Sequence, residues 1–133
     1  MSEKTESVKR LAWRTNAVVA VLSIIALATA LGSTLKAQLL LASITIFIIL
    51  TVIVTAIRVT ATYDLALRGK AIIQGTWFYM SFSLSYIIMP AAPYFGMTAL
   101  SVGINALVGV VTLIVGVYSL LATRKETGVM ISI

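Results

Sequence analysis

Cysteine and histidine are both missing from these 133 residues. Their absence excludes disulfides, thiolate chemistry, haem ligation and most transition-metal sites. Acidic residues are nearly as scarce: Glu3, Glu6, Asp64 and Glu126 are all there are, and each lies near other charges outside the apolar runs. Proton-coupled and ion-coupled transporters keep ionisable groups at membrane depth, so their absence from these runs argues against transport. Charged residues make up 11% of the chain, against about a quarter in ordinary soluble domains. The two prolines, Pro90 and Pro93, stand close together.

In place of charge there are long uncharged runs. Residues 15–35 and 37–57 each form a run of 21, and residues 71–123 form one of 53. A 21-residue helix is about 31 Å long, the thickness of a bilayer's hydrocarbon layer. The longest run is too long for one such helix, and Met89, Pro90, Ala91, Ala92 and Pro93 interrupt it near its middle. An all-α domain follows: four long apolar antiparallel helices in two hairpins, over about residues 5–31, 38–68, 71–89 and 98–123. A single domain of membrane-like hydrophobicity accounts for residues 1–133. With 60% hydrophobic residues and a mean hydropathy of +1.08, a four-helix body cannot hide all its apolar surface inside itself, so lipid or copies of the chain must cover the rest.

Local signals set the expected boundaries. Ser2 or Thr5 can cap the first helix, with Glu3 and Glu6 near the positive end of its dipole. Lys9, Arg10 and Arg14 before an apolar stretch ending in Ala28, Thr29 and Ala30 have the outline of a secretory signal, but an ordinary first helix is the preferred expectation. Gly32, Ser33 and Thr34 supply a stop and a turn. The second helix is rich in β-branched residues from Ile44 to Thr55; its length excludes a strand. It is expected to continue to about residue 68, roughly 45 Å, with Asp64 and Arg68 as an ion pair one turn apart and Gly69 as its cap. The third helix holds Trp77, Phe78, Tyr79, Phe82 and Tyr86. Small residues mark packing seams: Ser81 and Ser85 on the third helix, and Ala99, Gly103, Ala106, Gly109 and Gly116 on the fourth. Packing within the chain is the preferred role for that seam, with an oligomer interface as the alternative. Asn16, Gln74 and Asn105 are expected to make interhelical or backbone hydrogen bonds.

Alternating helices gather the N-terminus, the 58–70 connection and the C-terminus at one pole. Lys4, Lys9, Arg10, Arg14, Arg58, Arg68, Lys70, Arg124 and Lys125 collect there with all four acids, for a net charge of +5; the other pole has Lys36 alone. Two physical accounts predict this asymmetry. Short cytoplasmic segments of membrane proteins concentrate Lys and Arg. Alternatively, a shell of subunits with its basic poles turned inward neutralises phosphate without reading sequence, which makes those nine residues candidate contacts to DNA. No recognition motif accompanies them; Trp13 beside Arg14 and Tyr63 beside Asp64 are expected to mark a polar–apolar boundary.

No nucleophile is paired with a base, and there is no carboxylate dyad or phosphate-cradling glycine loop. The expectation is therefore a non-enzymatic structural subunit with no catalytic, cofactor or metal site. In size, composition and topology the whole chain resembles the small, hydrophobic, cysteine-free helical-bundle coat proteins of archaeal spindle-shaped viruses. That resemblance carries no motif and no functional residue. It implies a virion subunit that self-assembles in many copies through apolar helices around DNA. The alternative is a four-span membrane protein of a cell, an accessory subunit with both termini in the cytoplasm and lipid around it.

Overall fold

The computed structural model describes residues 3–128. Five α-helices and one 3-10 turn make up the described chain: α1 Glu3–Ala28, α2 Leu35–Ala61, α3 Leu65–Ser83, α4 Ser85–Ile88, the turn Pro93–Phe95, and α5 Ala99–Thr127. The fold is all-α. Helices α1, α2 and α5 are long and apolar enough to cross a membrane, and α3 is not. Arg68, Lys70 and Gln74 lower its apolar content.

Capping side chains decide the boundaries. Thr34 begins α2 by accepting a hydrogen bond from the Ala37 amide (3.3 Å), three residues earlier than the sequence suggests. Before it, α1 stops at Ala28 and the chain tightens into i→i+3 bonds, closing at Gly32 in the left-handed region (φ 91). Thr98 caps α5 through the Ser101 amide (3.2 Å). At its far end α5 runs one turn beyond the expected residue 123, because Arg124 and Lys125 suit the negative end of the dipole and Gly128 (φ 75) makes the cap.

The second helix requires a correction. It ends at Ala61 and does not continue to residue 68. Thr62 is extended, and Asp64 opens a new helix by accepting from the Ala66 amide (2.9 Å). Asp64 therefore acts as an N-cap rather than as the ion-pair partner of Arg68. Gly69 is not a cap but lies inside α3, where a Cβ would meet the Thr127 hydroxyl at 2.6 Å. The third helix accordingly starts at residue 65, not 71, and is offset at Leu84 before the single turn of α4.

Each of α1 and α3 packs on both α2 and α5, so the four long helices form a square with α1 and α3 as the closer diagonal. Alternation is visible in the register. Asn16 on α1 donates to the Val52 carbonyl of α2 (3.5 Å). Gly75 on α3 faces Thr55 on α2, and Met80 and Ile87 face Gly116 and Gly109 on α5 in reverse order. The N-terminus, the 62–64 link and the end of α5 thus share one pole, and the 29–34 and 89–98 turns share the other.

The interior mixes apolar side chains with many small polar ones, whereas the exterior is large and aliphatic. Thr5, Thr15, Asn16, Ser23, Thr45, Thr55, Thr76, Ser83, Asn105, Thr112, Ser119 and Thr123 are buried among Val8, Val19, Leu41, Ile48, Tyr79 and Tyr86. Some of these hydroxyls bond back to their own helices, as Ser23 does to Val19 and Thr112 to Val108, or across them, as Thr45 does to Tyr86 (2.9 Å), whereas the buried Ser119 and Thr123 hydroxyls have no hydrogen-bond partner among the described residues. The outer faces carry Val21, Ile24, Ile46, Leu50, Ile57, Phe78, Leu107 and Ile114. Water-soluble bundles carry charged and polar side chains on such outer faces.

Candidate functional site

The basic pole is the one concentration of charge. Its nine predicted cations fall into different roles. Arg10, Arg14, Lys70, Arg124 and Lys125 are exposed and Lys9 is half-buried; the side chain of Lys4 lies outside the described residues. Arg58 is exposed but donates to the Gln74 side-chain carbonyl (2.8 Å), tying α2 to α3. Arg68 is not at the surface. Only 2% exposed, it donates from Nε to the Thr62 carbonyl (2.5 Å) and from a terminal nitrogen to the Thr5 carbonyl (3.2 Å). Its guanidinium closes the α2–α3 link against the start of α1, which removes it from the phosphate-contact candidates.

The expected polar pairings are present. Asn16 bonds across to α2, Gln74 accepts from Arg58, and Asn105 donates to Thr29 and to the Ser101 carbonyl. The small-residue candidates divide. Gly109 and Gly116 are buried against α3 and α4, where a Cβ would collide with Ile87 and Met80. Gly75, which the sequence reading did not single out, does the same against Thr55. Ser81, Ala99 and Gly103 face outward, and Gly103 has nothing within 4 Å of its Cβ direction; Ser85 and Ala106 are half-buried.

Aromatic side chains supply a level that single-sequence reading does not reveal, because it depends on register. The contacts above place Trp13 on α1, Trp77 on α3 and Tyr118 on α5 within about a turn of one height, and all three are roughly half exposed. Trp and Tyr collect at membrane–water boundaries. Residues 99–118 of α5 rise about 28 Å from the opposite turn to this level, close to a hydrocarbon thickness of roughly 30 Å. At that opposite turn Tyr94 is exposed, and the Lys36 ammonium lies 5.2 Å from its ring centre.

A groove of about 480 Å³ opens between α1 and α5 beside this aromatic level. Ser7, Arg10, Arg14 and Thr15 line it from α1, with Tyr118 and Glu126 from α5, and Leu11, Val18, Val115 and Ala122 form its apolar wall. A second groove, of about 390 Å³, lies between α2 and α3 over Phe47, Phe78 and Phe82, with Phe47 and Phe82 stacked at 5.3 Å. Among the described residues no group of His, Cys, Asp or Glu is placed to hold a metal ion.

Comparison with known proteins adds no relative. No family model matches the chain, and no curated protein or solved structure matches it. What the arrangement can do must be read from its own chemistry: hydroxyls and amides among apolar side chains inside, aliphatic side chains outside, and exposed cations at one end.

Proposed function

We propose that this chain is a non-enzymatic structural subunit embedded in a membrane, with α1, α2, α3–α4 and α5 crossing the bilayer and the basic pole in the cytoplasm. The observation that carries this reading is the broad aliphatic outer surface around an interior that holds many hydroxyls and amides. In hydrocarbon, helices associate through small residues and interhelical hydrogen bonds, while bulky aliphatic side chains face the lipid. Helices α1, α2 and α5 follow that rule on their outer faces, and α3 presents Leu67, Trp77 and Phe78. The aromatic level and the charge asymmetry agree with it.

Because the chain has no cysteine, single-cysteine variants report orientation directly. Tyr63→Cys, at the 62–64 link, is expected to be shielded from a membrane-impermeant maleimide added to intact cells. Tyr94→Cys, at the opposite turn, is expected to be labelled. The reverse pattern overturns the orientation, and labelling of both overturns the spanning arrangement.

A virion coat subunit is the second reading. It is favoured by exposed Gly103 beside Leu100 and Leu107, where the outer face of α5 offers a flat apolar strip to a second copy. In that assembly sister subunits replace lipid, and the basic pole meets DNA without sequence preference. Nuclease protection of DNA in purified particles, with no lipid vesicle present, supports this reading over the first.

A further inference from the structure

We propose that the groove between α1 and α5 is a binding site for an anionic phospholipid, with Arg10 and Arg14 holding the headgroup phosphate. This inference rests on the membrane reading and adds a specific lipid class and site to it. Three observations converge on the groove. Its lining is graded: Arg10, Arg14, Ser7 and Tyr118 bring guanidinium and hydroxyl groups, with Leu11 and Ala122 between them, and Val18 and Val115 continue it toward the middle of the bundle as apolar wall. That is the order of groups along a phospholipid, from phosphate to acyl chain. Its volume of about 480 Å³ lies within the range of ordinary ligand clefts.

The second observation is which cations are free. Arg58, beside the other groove, is engaged by Gln74, and Arg68 is engaged by backbone carbonyls. Arg10 and Arg14 are one helical turn apart on α1 and make no hydrogen bond or ion pair among the described residues. Glu126 is the one carboxylate lining the groove, which leaves the lining net positive. Two planar donors on one helix face suit a phosphate better than a point charge does.

Third, the two arginines flank Trp13, placing their donors at the aromatic level where headgroups lie. Basic clefts between helices on the cytoplasmic side are suited to anionic headgroups.

The test uses the full chain in mild detergent mixed with phosphatidylglycerol or phosphatidylcholine, with retained lipid counted by native mass spectrometry. Retention of phosphatidylglycerol is expected to exceed that of phosphatidylcholine about tenfold, the order two basic side chains provide. The double variant R10Q/R14Q is expected to lose that preference. R124Q/K125Q, which removes equal charge outside the groove, is expected to keep it. Val18→Trp leaves every charge in place and fills the apolar half, and it is expected to lower retention of both lipids.

Equal retention of the two lipids by the parent chain overturns the site, as does equal loss of preference in R124Q/K125Q. Displacement by millimolar inorganic phosphate assigns the arginines to a free anion and overturns the lipid. Displacement by a short DNA duplex at physiological salt overturns it in favour of the coat reading. Failure of the parent chain to float with phosphatidylcholine vesicles overturns the membrane reading itself; flotation without phosphatidylglycerol preference overturns the groove alone.

Discussion

At the basic end of the bundle a single guanidinium, that of Arg68, draws the α2–α3 link against the first turn of α1. At the opposite end the same task is shared by neutral side chains. Thr34 donates to the Phe95 carbonyl (2.9 Å), Ser101 to the Thr29 carbonyl (2.8 Å), and Asn105 to the Thr29 hydroxyl. The two ends teach that one helical bundle can be closed by concentration or by distribution. The first is compact and vulnerable to one substitution; the second needs a longer turn and tolerates the loss of any one member. Arginine, with its fork of N–H groups, is the side chain able to reach two carbonyls from one position.

The largest expected effect breaks the concentrated end. Arg68→Ala strands two carbonyls and leaves a cavity, costing about 3 kcal/mol. Thermal unfolding in detergent, followed by circular dichroism, measures it. Arg68→Lys is expected to recover part of the loss, since an ammonium keeps the charge but not the fork. A loss no greater than that of the single substitutions at the other end would dissolve the contrast.

Next in size is overpacking at an interhelical contact. Gly75→Val drives a branched side chain into Thr55, and the cost is about 2 kcal/mol. The same substitution at Gly103, which faces outward with open space around it, is expected to leave the unfolding midpoint unchanged. This pair sharpens the comparison by separating the inner glycines from the outer one.

Asn105→Ala tests the distributed end. It removes donors to Thr29 and to the Ser101 carbonyl while Thr34 and Ser101 keep their own bonds, so the expected loss is about 1 kcal/mol. Thr45→Val is the smallest change. It deletes the hydroxyl pair with Tyr86 at nearly constant volume, and buried interhelical hydrogen bonds in membrane bundles contribute about 0.6 kcal/mol. Both are read by the same unfolding measurement.

Much of this architecture is legible in the sequence. The uncharged runs and their bracketing charges give the helical class, the alternation and the two poles. Pro90 and Pro93 mark their turn by fixing φ and removing a donor, and Gly32 marks its own by its freedom to adopt the left-handed region. The break after Ala61 was less legible. Thr62, Tyr63 and Asp64 include neither proline nor glycine, and the apolar pattern continues on either side of them. The local signal there is Asp64, whose N-cap bond to the Ala66 amide opens α3, and the bond from Arg68 to the Thr5 carbonyl that secures the link depends on the tertiary structure.

The same limit explains the partial reading of the candidate site. Arg68 carries the same formal charge as Arg10, and only packing separates a structural clamp from a free donor. Gly69 is expected from sequence as a helix cap and Gly75 carries no signal at all, because a close approach is a property of two helices. The common level of Trp13, Trp77 and Tyr118 likewise exists only once the four helices are set side by side.

Helix α3 alone among the four long helices is too polar to qualify as a membrane span, although its first turns are the most enclosed. In a bilayer that property becomes a timetable. The ribosome delivers α1 and α2 first, and each can partition into lipid on its own hydropathy. α3 follows with Arg68, Lys70 and Gln74, groups that hydrocarbon alone would reject. The hairpin already in place presents the Thr5 carbonyl, Thr55 and Arg58 that receive it. On the membrane reading proposed above, biosynthetic order is written into the bundle: α3 is a guest of α1 and α2, and a nascent chain lacking α1 is expected to leave α3 outside the membrane.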